Sequence, residues 1–246
     1  MNLFEKMHYL HRAYRYRYRS ERQELACLIK QDLNGATVVD AGANRGAWTW
    51  WMHKKVGPRG NVIAFEPQPE LGEYLSQVKS DFRLRRLTVV NKGLSSQSGR
   101  QLMVRPRAHW VGGSLELSPD YPDSDTFMVD LTSLDEYFAE HANLRPVRFM
   151  KCDIQDHEYQ CFLGAKEVLS EDLPAVLFEC TDPEQEETRI FPFLRSLGYD
   201  GFFIHNRSIR PIEELSQQRG MIDRAYFNCL FVSSQQNADL RIHKAA

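Results

Sequence analysis

Residues 38–49 read VVDAGANRGAWT, a β-branched pair followed by small residues and then by the start of a helix-forming run. Gly42 and Gly46 let the backbone turn sharply between a strand and a helix, and they let a ligand approach the main chain closely. The first turn of the following helix presents unpaired N–H groups to such a ligand. The pattern predicts a nucleotide site, although G-x-N-x-G lacks the full glycine set that cradles the pyrophosphate of a dinucleotide.

Short apolar runs alternate with helical segments along the chain from residue 36 onward. The runs cover residues 37–39, 61–65, 87–90, 147–150, 175–178 and 227–232. Continuous apolar runs separated by helices are typical of a mostly parallel sheet with helices on both faces. The sequence therefore predicts an α/β domain over residues 35–233.

Three segments differ from this alternation. Residues 1–34 carry apolar positions at helical spacing and predict an N-terminal helical extension of one or two helices. Residues 98–132 hold two strand-like runs, 100–104 and 126–130, around a stretch rich in Pro and Gly, which predicts a hairpin-and-loop excursion near the substrate site. Residues 234–246 form a polar tail.

The composition excludes several classes of protein. Lys and Arg number 31 against 33 Asp and Glu, a net charge of -2, which excludes a wholly basic, non-specific nucleic-acid binder. No run approaches the ~18 apolar residues that span a bilayer, and the N-terminus lacks the features of a secretory signal. The five cysteines form no C-x-x-C pair, so we expect reduced core cysteines and a cytoplasmic protein.

Two acidic residues follow predicted strands. Glu66 ends the second strand twenty residues after Gly46, where a carboxylate can accept hydrogen bonds from both ribose hydroxyls of an adenosine. Asp153 follows the run 147–150, and ligands of open α/β sheets bind at the carboxyl ends of the strands. The glycine turn and Glu66 together predict an adenosine-containing cofactor, and Asp153 lies at the same edge.

Seven blocks of the chain resemble, in order, the signature of the FkbM family of S-adenosylmethionine-dependent methyltransferases over residues 36–233. They are VVDAGANRGAWT, GNVIAFEPQPE, LTVVNKGLS, VDLTSLDEYF, VRFMKCDIQDHEYQCFLGA, AVLFEC and LRSLGYDGFFI. The resemblance implies a Rossmann-like class I methyltransferase fold with a seven-stranded, mostly parallel sheet whose last strand is antiparallel. It also implies methylation of a hydroxyl group on a small natural product, a sugar or a glycan.

The resemblance further implies roles for individual residues. It assigns the ribose of S-adenosylmethionine to Glu66, the adenine to the segment that begins at Asn91, and the transferring methyl group to the neighbourhood of Asp153. The methionine portion would lie against Asp40, Gly42, Asn44 and Gly46.

The segment after Asp153 departs from the family pattern, which is approximately D-x-E-G-x-E. Gln155 replaces the first Glu and Asp156 replaces the Gly, a change that keeps the cofactor assignment but leaves the acceptor and any metal open. Asp156 is also a natural N-cap for the helix that follows.

Catalysis has two interpretations at this edge. His157 or Asp153 could remove the proton of a hydroxyl acceptor as a general base, with Glu158 beside them. Alternatively, a divalent cation that lowers the pKa of the acceptor could bind to Asp153, His157, Glu158 and Asp182. In a non-catalytic interpretation, His157 is an ordinary surface or capping residue.

Two other functions are compatible with an adenosine site in a Rossmann-like sheet. One is a nicotinamide-dependent oxidoreductase, although none of the ten tyrosines has a Lys four residues later, as the Tyr-x-x-x-Lys pair of short-chain enzymes requires. The other is a non-catalytic cofactor-binding or scaffold protein of the same fold.

Residues 12–19 read RAYRYRYR and interleave cations with aromatic rings. They could stack on sugar rings, or bind an anionic substrate, a membrane surface or a second subunit of a homo-oligomer. Alternatively, the tyrosines pack on the domain while the Arg heads reach water. Residues 1–22 hold six basic and two acidic residues, so this segment carries +4 within a chain of -2.

Overall fold

The computed structural model describes residues 1–109, 112–181, 183–205, 208–215 and 227–234. The strands are β1 Thr37–Ala41, β2 Asn61–Phe65, β3 Leu87–Val90, β4 Gly93–Leu94, β5 Gly99–Pro106, β6 Ser124–Thr132, β7 Val147–Cys152, β8 Ala175–Cys180, β9 Tyr199–His205, β10 Ser208–Pro211 and β11 Phe227–Ser233. The helices are α1 Leu3–Arg15, α2 Arg22–Lys30, α3 Ala47–Val56, α4 Pro69–Asp81, α5 Leu134–Glu140, α6 Glu158–Leu163, α7 Lys166–Glu171, α8 Pro183–Thr188 and α9 Ile190–Ser196.

The main sheet has the order β10-β9-β11-β8-β7-β1-β2-β3 within the described ranges. Strands β3, β2, β1, β7 and β8 pair in parallel, and β11 runs antiparallel to both β8 and β9. This confirms the mostly parallel Rossmann-like sheet and its antiparallel last strand. Such a sheet brings the carboxyl ends of its parallel strands to one edge, which is where an open α/β sheet binds ligands.

The strand count differs from the seven strands implied by the resemblance. The additional strand is β10, four residues long, which folds back on β9 so that Ser208 lies opposite His205. Its residues are half-buried or exposed. An edge strand of this kind lacks the continuous apolar run that marks a buried central strand, so sequence patterning did not reveal it.

A second sheet in the described part of the chain has the order β4-β6-β5. Strands β5 and β6 are antiparallel over their full length, from the pair Gly99 and Leu131 to the pair Pro106 and Ser124. The two strands predicted at 100–104 and 126–130 are therefore confirmed. A bridge between Val104 and Ser114 returns the connecting segment to β5.

Buried side chains cover both faces of the main sheet, in two clusters. Alternate residues of one strand enter different clusters, since Val39 belongs to one and Val38 to the other. This is the period-two alternation of a strand that is covered on both sides. All five cysteines are free and buried, as expected for core thiols.

The N-terminal helices pack on one of these clusters, which confirms the predicted helical character of the segment. Helix α1 continues through a π-helical turn, Tyr16–Ser20, before α2 begins. The hydroxyl of Tyr9 donates to the carbonyl oxygen of Gly46 at 3.0 Å, and the indole N–H of Trp51 donates to the carbonyl oxygen of Ala13 at 2.8 Å. These contacts tie the segment to helix α3.

The arginine- and tyrosine-rich stretch, residues 12–19, has some tyrosines packed on the domain and others exposed, so neither of the two sequence interpretations describes it completely. Tyr16 is half-buried, whereas Tyr14 and Tyr18 are 47% and 61% exposed and stack on each other. Tyr14 and Tyr18 are therefore each about half exposed, although Tyr14 also contacts Trp51. In the described ranges, no helix has the length and apolar character needed to cross a membrane.

Candidate active site

A cavity of about 480 Å³ opens at the carboxyl ends of β1, β2, β7 and β8. Four of the residues predicted from sequence line it together, namely Gly42, Asn44, Glu66 and Asp153. Strand β5 and the segment that connects it to β6 close one side with Met103, Gly112, Gly113 and Leu115. The cavity therefore joins the predicted cofactor edge to the predicted excursion.

The turn after β1 adopts the left-handed conformations that its sequence predicts. Gly42 has φ +75°, Asn44 has φ +51° and Gly46 has φ +74° at the N-cap of α3. A Cβ atom at Gly42 would lie 1.9 Å from the carbonyl oxygen of Asp153. Glycine is required there both by its φ angle and by the close approach of the two loops.

Asp40 lies beneath this turn and is fully buried. Its Oδ2 accepts a hydrogen bond from the hydroxyl of Thr49 at 2.5 Å, while its Oδ1 has no partner in the described part of the chain. Burial raises the pKa of the carboxyl group, and the nearby Lys151 ammonium opposes that shift. Asp40 is absent from the described cavity lining, and its hydrogen bond anchors helix α3 to β1.

Glu66 follows β2 and forms part of the cavity wall although only 3% of its surface is exposed. Its Oε2 accepts the backbone N–H of Asn44 at 2.8 Å, and its Oε1 accepts the backbone N–H of Gln68 at 3.0 Å. Burial raises the pKa of Glu66 to about 7, while the two backbone hydrogen bonds lower it. Each oxygen retains a further lone pair for a ligand.

Asn91 supports this loop from behind. Its side-chain amide donates to the carbonyl oxygen of Glu66 at 2.7 Å, and makes a longer contact of 3.3 Å with that of Gln68. Asn91 itself does not belong to the described cavity lining, but the three residues that follow it, Lys92, Gly93 and Leu94, do. The segment predicted near the adenine thus borders the cavity, with Asn91 itself in a supporting position.

Asp153 presents a partly exposed carboxylate to the cavity, with 32% of its side chain exposed. Its Oδ2 accepts from the ammonium of Lys151 at 2.9 Å, and its Oδ1 accepts from the amide of Gln155 at 3.3 Å. Both oxygens are therefore oriented, and the carboxylate can still accept a hydrogen bond from a ligand.

Lys151 was not among the residues predicted from sequence. Burial opposes its charge, but the carboxylates of Asp153, Asp40 and Glu21 together raise the pKa of its ammonium. The available signal was a lysine between the apolar residues Met150 and Cys152 of a predicted central strand, because a buried charge requires an ionic partner. The alternation of the strand places Lys151 and Asp153 on one face.

His157 lies behind the loop, away from the described cavity lining. The ring is 3% exposed; its Nδ1 contacts a carboxylate oxygen of Glu116, and its Nε2 lies 3.0 Å from the hydroxyl oxygen of Ser95. Both ring nitrogens are thus engaged with the second sheet and its connection to the main domain.

Glu158 and Asp156 shape the same loop. Glu158 Oε1 accepts the backbone N–H of Ile154 at 2.8 Å, and burial raises its pKa to about 8. Asp156 does not cap helix α6 as predicted, because His157 occupies the N-cap position and Asp156 accepts a hydrogen bond from the hydroxyl of Thr181. Gln155 and Asp156 both have positive φ angles, +57° and +75°, which turn the Asp156 side chain toward β8 instead.

The metal interpretation has no assembled ligand set in the described residues. No group of three or more His, Cys, Asp or Glu side chains there is arranged to hold a metal ion. Asp182, the fourth predicted ligand, lies outside the described residues. Asp153, His157 and Glu158 each bond to different partners.

Two further acids line the cavity and were missed by sequence reasoning. Glu21, from the N-terminal segment, accepts the indole N–H of Trp48 at 2.6 Å, and burial raises its pKa to about 7. Glu179 of β8 also has a pKa raised by burial, to about 8. No local pattern marked Glu21, because only the packing of α1 and α2 brings it to the sheet edge.

The fold is that of the class I S-adenosylmethionine methyltransferases. The methyltransferase FkbM of Methylobacillus flagellatus KT superposes with a TM-score of 0.56 at 16% identity, over 81% of this chain and 44% of that chain. A candidate rRNA methylase from Clostridium thermocellum superposes with a TM-score of 0.52 at 15% identity, over 86% of this chain and 94% of that one. This chain thus spans less than half of the Methylobacillus protein.

The family follows from the sequence itself. The methyltransferase FkbM domain matches residues 40–200, from the acid beneath the glycine turn to strand β9. The chain belongs to the FkbM methyltransferase domain family. No curated protein sequence matches it.

Proposed function

We propose that this protein transfers a methyl group from S-adenosylmethionine to a hydroxyl group of a small natural product, a sugar or a glycan. The observation that carries the proposal is one cavity lined both by Glu66, with its free acceptor capacity, and by the oriented carboxylate of Asp153. The membership of the FkbM family supports the same reaction class.

The residues of the cavity fit this cofactor. Glu66 offers two carboxylate oxygens to the ribose hydroxyls, and Phe65 and Leu94 offer apolar surface to a planar base. Gly42 lets the loops after β1 and β7 approach each other closely at the edge of the cavity. When bound, S-adenosylmethionine supplies a methyl carbon that its sulfonium has already made electrophilic.

The protein contributes alignment and proton transfer, because the methyl donor needs little further activation. Asp153 accepts a hydrogen bond from the acceptor hydroxyl, which fixes the position of the acceptor oxygen, and takes up its proton. Lys151 and Gln155 hold the carboxylate in place. His157 and Glu158 do not contact the acceptor in this proposal; their hydrogen bonds fix the loop from residue 153 to residue 158.

Calorimetry with two nucleotides tests the cofactor assignment. We expect S-adenosylhomocysteine to bind and NAD not to bind, because the glycine turn lacks the dinucleotide pattern. Mass spectrometry of hydroxylated acceptors, with and without S-adenosylmethionine, should then show the gain of one methyl group. Binding of NAD alone would instead favour the oxidoreductase interpretation.

The Glu66→Gln variant should bind S-adenosylhomocysteine roughly tenfold more weakly, because a charge-assisted hydrogen bond is replaced by a neutral one. Since the pKa of Glu66 is raised to about 7, the wild-type affinity should rise as the pH increases through that value and the carboxylate forms. The variant should lose this component of the pH dependence. Calorimetry across the neutral range measures both effects.

Glu70→Gln is the matched control for this experiment, because Glu70 lies on the adjoining helix with a side chain that is 60% exposed. It should retain wild-type affinity and pH dependence. A Glu66→Gln variant with the same affinity and pH profile as the wild type would show that the ribose binds elsewhere.

A further inference from the structure

Exposed apolar side chains are concentrated on the N-terminal helix. The described residues contain eight large hydrophobic side chains that are exposed, and five of them lie between residues 3 and 18. We call these five the outer stripe: Leu3, Phe4, Met7, Tyr14 and Tyr18, exposed by 76%, 77%, 62%, 47% and 61%. This concentration is unusual for a helix whose other face is already packed on a core.

The rotation of the helix is fixed, so the outer stripe faces outward. Tyr9 and Ala13 are fully buried against the domain, and Tyr9 packs edge-on against Trp50. At about 100° per residue, the outer stripe falls on the opposite side of α1 and of the π-helical turn that continues it. Within the stripe, Tyr14 also packs edge-on against Trp51, whereas Leu3, Phe4 and Met7 stay more than 60% exposed and are available to a partner.

Cations accompany the outer stripe. Residues 6–20 contain five Lys or Arg residues and no Asp or Glu. Arg15 and Arg19 are exposed on the flank of the stripe, and Arg17 lies over the ring of Tyr18 at 5.5 Å from its centroid. A helix face with apolar and tyrosine side chains bordered by arginines is typical of segments that lie in a membrane interface.

We propose that the outer stripe docks this protein on the surface of an anionic lipid bilayer. Leu3, Phe4 and Met7 would enter the boundary between headgroups and acyl chains, while the arginines pair with lipid phosphates. A second copy of the chain fits less well, because a symmetric contact would set two segments of net charge +4 against each other. The phosphates of a nucleic acid could pair with the arginines, but a nucleic acid offers no apolar layer in which Leu3 and Phe4 could be buried.

Sedimentation with vesicles tests the proposal, using vesicles of phosphatidylcholine alone and vesicles of equal parts phosphatidylcholine and phosphatidylglycerol. We expect co-sedimentation with the anionic vesicles only, and release at high ionic strength. The Arg15→Gln/Arg19→Gln variant should bind about thirtyfold more weakly, since each cation near such a surface contributes several-fold. The Phe4→Ser/Met7→Ser variant should bind more than tenfold more weakly.

Two substitutions elsewhere serve as matched controls. Met128 is 47% exposed and the Arg100 side chain is 67% exposed, both on the second sheet. The Met128→Ser and Arg100→Gln variants should sediment like the wild type. All variants should retain the wild-type melting temperature, because the substituted side chains are exposed. They should also retain the wild-type affinity for S-adenosylhomocysteine, because none of these side chains belongs to the described cavity lining.

Four results would overturn the proposal. The first is equal sedimentation with neutral and anionic vesicles, or none with either. The second is wild-type sedimentation of both the Phe4→Ser/Met7→Ser variant and the Arg15→Gln/Arg19→Gln variant. The third is a dimer in light scattering that the Phe4→Ser/Met7→Ser variant abolishes, which would assign the stripe to a second copy. The fourth is binding of DNA without binding of vesicles, which would assign the stripe to nucleic acid.

Discussion

The Asp153→Asn variant should lose methyl transfer by a factor of about 10² to 10⁴, the range that a positioned general base contributes. The substitution preserves the shape of the side chain and an oxygen that can accept the hydrogen bond from Gln155. An amide, however, cannot take up the hydroxyl proton. Affinity for S-adenosylhomocysteine should change by no more than a few-fold, because Glu66 and the glycine turn are untouched. Single-turnover kinetics with the acceptor found by mass spectrometry, together with calorimetry, separates the two effects.

Asp156→Asn is the matched control, since Asp156 is a neighbouring carboxylate that is absent from the described cavity lining and accepts a hydrogen bond from the hydroxyl of Thr181. It should retain most of the activity. If Asp153→Asn is as active as the wild type while His157→Ala is inactive, the proton passes to His157 and the loop must rearrange when the acceptor binds. Comparison of melting temperatures shows whether the unpaired Lys151 destabilises the Asp153→Asn variant.

The Gly42→Ala variant should lower the free energy of unfolding by about 2–5 kcal/mol. A left-handed backbone conformation costs a non-glycine residue about 1–2 kcal/mol, and overpacking adds about 1–3 kcal/mol. Both apply, because Gly42 has φ +75° and its Cβ would lie 1.9 Å from the Asp153 carbonyl oxygen. The variant should also lose affinity for S-adenosylhomocysteine, because the loops that carry Asn44 and Asp153 must move apart.

Two other glycines separate these contributions in denaturant unfolding. Gly198 has φ +89° with nothing within 4 Å of its Cβ position, so Gly198→Ala should report the backbone cost alone. Gly99 has neither a positive φ nor a neighbour within 4 Å, so Gly99→Ala should be close to neutral. Equal destabilisation of Gly42→Ala and Gly198→Ala would mean that the two loops do not approach as closely as described.

Patterns that are local in the chain were informative about the fold. The apolar runs at 61–65 and 175–178 became central strands because a strand covered on both faces must be continuously apolar. The turn VVDAGANRGAWT was equally predictable, since only glycine tolerates the φ angles at Gly42 and Gly46 without strain. The short edge strand β10 escaped prediction because its residues are not buried on both faces.

The site was only partly predictable. Glu66 and Asp153 could be placed in advance, because each follows a parallel strand directly and strand ends share one edge. His157 is four residues beyond Asp153 in sequence, yet two positive-φ residues redirect the chain between them and leave the ring in contact with Glu116 and Ser95. Sequence proximity therefore did not imply a shared cavity.

Local sequence was sufficient for the central strands of the main sheet, the glycine turn and the two acids at the strand ends, because backbone sterics and the burial period act over a few residues. Long-range packing was needed to bring Glu21 from the N-terminal segment and Glu179 from β8 into the same cavity as Asp153. It also set the raised pKa values of those acids and the charge of Lys151, since burial and charge proximity depend on which elements pack together.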